Sequence, residues 1–110
     1  MGQPKVRITI EESGEATRLT LEGRVAGPWA AELDRVWAES LPRLQNQSVS
    51  VDISNVIYAD DDGIRVLQAI YAQARPEILS NTPWTRHLAE QMAAKPYELP
   101  EEEQGDASND

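Results

Sequence analysis

Asp60-Asp61-Asp62-Gly63 is the segment of this 110-residue chain with the most chemical capacity. Three consecutive carboxylates can accept hydrogen bonds from the open N–H groups of a helix start, coordinate a hard cation, or attract a partner's arginine or lysine. The flanking residues bear on the choice. Val49, Val51 and Ile53 alternate with polar residues ahead of the turn, and Ile64, Leu67, Ile70 or Tyr71, and Ala74 recur at helical spacing behind it. The segment therefore reads as a buried strand, a tight acidic turn and an amphipathic helix. The positive end of a helix dipole tolerates negative charge, and one cap plus one first-turn aspartate contribute about 0.5–1 kcal/mol each. Capping does not use three aspartates, so the turn is a candidate binding epitope as well as a cap. Side chains on one short turn diverge, and Asp52 is the only other carboxylate close in sequence, so no metal site is expected.

The remaining reactive residues point away from catalysis. Ser48, Ser50 and Ser54 have no histidine base at a recognisable spacing. His87, the single histidine, precedes the inward Leu88 and reads as a boundary residue without a second histidine to share a metal. Asp52 lies in an apolar strand, where its expected role is a side-chain bond to nearby backbone. Gly23 sits near a strand end with no glycine-rich loop around it, and Gly63 reads as a close-packing glycine at the helix entrance. Trp37 lies on a helical seam and reads as core, whereas Trp29 and Trp84 follow prolines at helix beginnings and read as half-buried packing residues. No enzymatic activity and no cofactor are expected.

Composition narrows the partners. The net charge is −9, and six acidic residues with no basic ones fall in Pro96–Asp110. Without them 13 acidic and 10 basic residues remain, or −3. Neither part offers a basic patch for phosphate backbones, so nucleic-acid binding is not expected. The tail from Pro96 is poor in hydrophobics and rich in charge, which predicts a disordered, solubilising segment after a domain spanning residues 1–95. Its deletion is expected to leave the melting temperature nearly unchanged, and a drop of more than a few degrees in a thermal melt would show that it packs on the domain. No apolar run approaches the roughly 18 residues of a membrane span, and Met1 to Ile10 lacks the apolar stretch of a secretory leader. With no cysteine, disulfides and thiolate metal sites are excluded. A cytoplasmic protein without direct membrane insertion is the expectation.

The elements that must hold the acidic turn follow from periodicity. Val6, Ile8 and Ile10 alternate with Arg7 and Thr9, Ser13-Gly14-Glu15 marks a turn, and Leu19 and Leu21 alternate again, which predicts an antiparallel hairpin. Gly27-Pro28 starts a helix with Leu33, Trp37, Leu41 and Leu44 on one face, and Pro42 predicts its end or a kink near Leu41. After the acidic turn and its helix, Pro76 is a stop, and Glu77 to Ser80 predicts a short fourth strand. Thr82-Pro83 is a cap and first-turn proline for a last helix whose inward face carries Trp84, Leu88 and Met92. Strands alternating with helices after an opening hairpin predict an α/β fold with a mixed four- to five-stranded sheet.

Two segments resemble the STAS domain family, the sulfate-transporter and anti-sigma-factor-antagonist domains. Leu19 to Val25 resembles the family's L-x-G-x-(hydrophobic) second strand, and Val51 to Ile64 resembles its D-L-S-x-V-x-x-x-D-S-S-G-L signature. The resemblance spans roughly residues 4 to 95. In family antagonists the second serine of D-S-S-G is phosphorylated by an anti-sigma-factor kinase. The unmodified domain binds the anti-sigma factor, and the phosphorylated one releases it. By position Asp60 matches the leading Asp, Asp61 the first serine and Asp62 the phosphoacceptor. This chain has no hydroxyl there, so serine-kinase control through that position is not available. Asp62 can imitate the phosphorylated state in part, with one negative charge against about −1.5 to −2. The loop from Ala74 to Ile78 lacks the family's frequent glycine, which predicts an irregular fourth strand.

The resemblance implies a non-enzymatic bacterial regulatory module. Its expected epitope is Asp60, Asp61, Asp62 and Gly63 with Arg65, Gln68 and Ala69 on the exposed side of the following helix, and its expected partner is an anti-sigma factor or related kinase. The alternatives are a STAS subunit of a lipid or anion transport complex, with a transporter ATPase as partner, and a small-ligand or nucleotide sensor. A homodimer stays open.

Overall fold

In the computed structural model, which describes residues 6–94, the period-two segments form the hairpin. β1 (Arg7–Ser13) and β2 (Ala16–Val25) pair antiparallel from Arg7↔Glu22 to Ser13↔Ala16, so Gly14 and Glu15 make the turn. Then follow α1 (Pro28–Leu44), β3 (Ser48–Ala59), α2 (Asp61–Ala74), β4 (Glu77–Leu79) and α3 (Pro83–Ala93). The sheet has four strands in the order β1-β2-β3-β4, with β2, β3 and β4 parallel. The expected acidic tail lies outside the described residues.

One face of the sheet is buried. Leu19, Leu21, Val25, Val49, Val51 and Ile53 meet Leu33 and Trp37 of α1, Leu67 and Ile70 of α2, and Leu88 and Met92 of α3. Each strand of this layer alternates, so the opposite face presents Arg18, Thr20, Ser50 and Asp52, all exposed or half-buried. Trp37 ties two helices together, its indole Nε1–H donating to Gln73 Oε1 at 2.6 Å.

Four expectations are corrected, the last being the irregularity of β4. The first concerns β3, which runs past Ile53 to Ala59. Thr20 pairs with Asp52 but Glu22 with Asn55, and Gly23 pairs with Val56 but Arg24 with Tyr58, so β3 twice carries an extra residue. Each bulge reverses the side-chain phase. The inward row therefore continues through Val56 and Ala59, and Ile57 and Tyr58 turn outward, 63% and 42% exposed. Strict alternation stops at Ile53, which is why a period-two reading ends the strand there.

The second concerns α1, which does not end near Leu41 but continues through Pro42 to Leu44. Proline removes one backbone bond, but buried Leu44 holds the last turn against the core. Tertiary packing outweighs the local preference. The third concerns α3, whose inward row is Thr85, Leu88 and Met92. Thr85 closes a capping box with Thr82: Thr82 Oγ1 accepts from Thr85 N–H at 3.0 Å, and Thr85 Oγ1 accepts from Thr82 N–H at 2.9 Å. That box fixes the helix phase and turns Trp84 outward, where its Nε1–H donates to Val56 O at 3.0 Å.

β4 is short but regular, pairing Ser50↔Glu77, Val51↔Ile78 and Asp52↔Leu79. In place of the absent glycine, Arg75 takes the left-handed conformation that closes α2, with φ 48° and its N–H bonded to Tyr71 O at 2.8 Å.

Candidate functional site

The bulged end of β3 carries the chain to the carboxyl edge of the sheet, and there the three aspartates separate in role. Asp60 is the N-cap of α2. Its Oδ1 accepts from Gly63 N–H at 2.8 Å, and its Oδ2 accepts from Gly27 N–H at 3.0 Å. Asp60 N–H in turn donates to Val25 O at 3.3 Å. One carboxylate thereby joins the starts of α1 and α2. The bond from Gly63 N–H and then that from Gly27 N–H hold its pKa below the usual carboxylate value, against a smaller opposing effect of burial.

The glycines at these two points are conformational necessities. Gly27 has φ 57° and ψ −133°, a combination side chains disfavour, and this points its N–H at Asp60. Gly63 is buried where α2 crosses β2, and a Cβ there would stand 1.9 Å from Val25 O. Asp60 and Gly63 thus serve the frame of the site rather than its free surface.

Asp61 and Asp62 fall in the first turn of α2 with exposed side chains. Asp62 Oδ1 accepts from Arg65 Nη1 at 2.7 Å, with the two side chains 65% and 72% exposed. A surface pair one turn apart contributes well under 1 kcal/mol and is easily exchanged for another partner. Asp61 has no side-chain partner among the described residues. Gln68, expected on the exposed side, is half-buried, and its Nε2–H donates to Gln91 O on α3 at 2.9 Å. Its amide is committed to the seam between the two helices.

The sequence reading also lacked the wall opposite the turn. A shallow groove of about 350 Å³ runs between α1 and α2, lined by Gly27, Ala30, Ala31 and Asp34 on one side and Asp62, Arg65, Val66 and Ala69 on the other. The small residues of α1 were the available signal, since alanines facing Ala69 let two helices lie close. Nothing local placed Asp34 beside Asp62, because the two are brought together only by the crossing of α1 and α2.

The other candidate residues are structurally accounted for. Asp52 Oδ1 accepts from Ser54 N–H at 2.9 Å, the backbone bond expected of it. His87 is exposed, its ring 6.4 Å from that of Trp84. Among the described residues no group of three or more histidines, cysteines or acidic residues is placed to hold a metal ion, and no helix is long and apolar enough to cross a membrane.

A family model described as "Mlab, STAS domain" matches residues 8–95. The chain belongs to the STAS domain family. The STAS fold is similar to that of an anti-sigma factor antagonist from Mycobacterium paratuberculosis, at 16% identity and a TM-score of 0.66, over 78% of this chain and 76% of that one. It is also similar to the anti-sigma factor antagonist SpoIIAA in its unphosphorylated form, at 9% identity and a TM-score of 0.58, over 76% and 82% of the two chains. A DUF3478-family protein with a SpoIIAA-like fold from Shewanella loihica PV-4 matches at 12% identity and a TM-score of 0.55, over 82% and 81%. No curated protein matches the chain. At these identities the solved structures establish the fold.

Proposed function

We propose that this STAS domain is a non-enzymatic regulatory module that binds a protein partner through the first turn of α2 and the α1–α2 groove. The observation that carries this reading is the division of labour within Asp60–Gly63. Asp60 and Gly63 are consumed by the fold, while Asp61 and Asp62 stand exposed, Asp62 lining the groove, at the position where family antagonists carry their regulatory serines. With Asp34 on the far wall, two carboxylates and one guanidinium line the groove, and exposed Asp61 adds a third carboxylate to the same helix turn, which favours a partner offering arginine or lysine.

The matching family model has a designation of its own, distinct from the antagonists, so a second partner class enters the test. Affinity capture from the native cells with the full chain as bait separates an anti-sigma factor from a transporter ATPase. Calorimetry with the captured protein then compares the parent with Asp62→Ser. Serine suits a helix start, so stability is expected to change by no more than about 1 kcal/mol. Affinity is expected to fall roughly ten- to a hundredfold, the equivalent of one charge-assisted hydrogen bond of about 1.5–3 kcal/mol. A gain in affinity for an anti-sigma factor instead makes Asp62 a locked phosphate mimic. Affinity within twofold of the parent reduces the acidic turn to a helix cap.

A further inference from the structure

At the edge of the sheet remote from β4, β1 presents an unpaired strand edge: among the described residues nothing pairs with it except β2. Exposed edges are normally blunted by proline, charged side chains or a bulge. The seven residues of β1, Arg-Ile-Thr-Ile-Glu-Glu-Ser, contain no proline, their register with β2 runs without a shift, and their charges are of both signs, so they repel an unrelated strand but can match a suitably registered one. Beside this edge lies an apolar groove of about 390 Å³, lined by Val6, Ile8, Ile10, Trp29, Glu32 and Val36. Ile8 and Ile10 belong to the inward row, opposite Leu21 and Leu19, yet remain only half-buried because α1 packs over β2 rather than β1.

The charges on this strand are self-complementary. In an antiparallel pairing of two β1 strands centred on Thr9, Thr9 faces Thr9, Ile8 faces Ile10, and Arg7 faces Glu11. Directly opposite pairs of these kinds each favour the pairing, whereas like charges oppose it. The same alternation already exists within one sheet, where Arg7 stands opposite Glu22 and Glu11 opposite Arg18. Pairing two copies extends it in sequence: Glu22, Arg7, then Glu11 and Arg18 of the second copy. The two α1 helices do not collide. Their supporting β2 strands would be three strand spacings apart, roughly 14 Å, against the about 8–10 Å at which helices pack. The space between them is where Ile8, Ile10, Trp29 and Val36 of both copies would meet.

We propose that β1 is a homodimerisation edge, its occupant being β1 of a second copy of this chain in the Thr9-centred antiparallel register. The arrangement is a two-fold, isologous contact, joining two four-stranded sheets into one of eight strands. It is small beside the roughly 800 Å² per partner of a standard interface, so the dimer should form and dissociate with concentration.

Sedimentation equilibrium of the full chain is expected to show a reversible monomer–dimer equilibrium. Arg7→Glu and Glu11→Arg, both at exposed positions, should each weaken dimerisation about tenfold or more, because each makes Arg7–Glu11 contacts like-charged twice over. Mixed in equal amounts they should form a heterodimer of at least parental strength, since the carboxylates of one variant then face the guanidinium groups of the other. A second measurement does not depend on charge. The chain has no cysteine, so Thr9→Cys should cross-link to a dimer on mild oxidation, while Ser13→Cys, at the strand end, should not. The proposal is overturned by a monomer throughout the accessible concentration range, by a mixture no tighter than its separate variants, or by cross-linking at Ser13 in preference to Thr9.

Discussion

Replacing Gly63 with alanine is expected to destabilise the domain by roughly 3 kcal/mol or more, the upper range for forcing extra volume into a packed contact. Helix propensity argues the other way, because alanine in a helix is favoured over glycine by about 1 kcal/mol. The geometry decides between them. An added Cβ would stand 1.9 Å from Val25 O and 2.9 Å from Val25 C, and both are backbone atoms of β2. No side-chain rotation relieves that contact, so α2 must move off the strand. Val25 O also accepts the N–H of Asp60, and a shift that clears the methyl group strains this bond. Leu67 and Ile70, fully buried on the same helix, would lose packing as α2 lifts. For a domain of this size the loss corresponds to roughly 12–24 °C in melting temperature. Urea unfolding with a thermal melt measures it. A midpoint within a few degrees of the parent would mean that α2 has freedom to slide, and the close approach would not be a constraint.

Asp60→Ala is the second large effect, expected to cost about 2 kcal/mol. Loss of an N-cap side chain costs typically about 1 kcal/mol, and Asp60 also holds the start of α1 through Gly27 N–H. Asp60→Asn separates the cap of α2 from the tie to α1. Asparagine keeps one oxygen to accept from Gly63 N–H, but its NH2 cannot accept from Gly27 N–H, so it should recover about half of the lost stability while removing the titration. The pH dependence then has a defined sign. The folded-state pKa of Asp60 lies below its ordinary value near 3.8, so the unfolded chain binds the proton more tightly. Its contribution is fully present above the unfolded value and is lost as pH falls through the lowered folded value. Stability measured by urea unfolding from pH 6 down to about pH 2 should therefore fall less steeply for Asp60→Asn than for the parent. Parallel curves would show that Asp60 is not the carboxylate responsible.

Both residues lie in the acidic turn, where the fold separates side chains that the linear string makes equivalent. As a linear string, Asp60, Asp61 and Asp62 are equivalent carboxylates at a helix start. In three dimensions Asp60 faces backward to Gly27 and Val25, whereas Asp61 and Asp62 face outward. The sequence could place an acidic helix entrance but could not divide it, because the division depends on β2 lying beside β3. Likewise Gly63 was legible as a packing glycine, but its neighbour was not: Val25 is 38 positions earlier and meets it only across the strand.

What the chain determined by itself is the set of local elements and their faces. Period-two alternation wrote the hairpin, period 3.6 wrote the inward rows of α1 and α2, and Thr82-Pro83 wrote the cap of α3, because each depends on residues within a few positions of one another. Tertiary contact decided the rest. It carried β3 through two bulges to Ala59, since pairing with β2 outweighs a broken alternation. It carried α1 through Pro42, since buried Leu44 outweighs one lost backbone bond. It also set Asp34 across a groove from Asp62, and left β1 as an edge, because neighbours in space are chosen by sheet order and helix crossing, which no local spacing records.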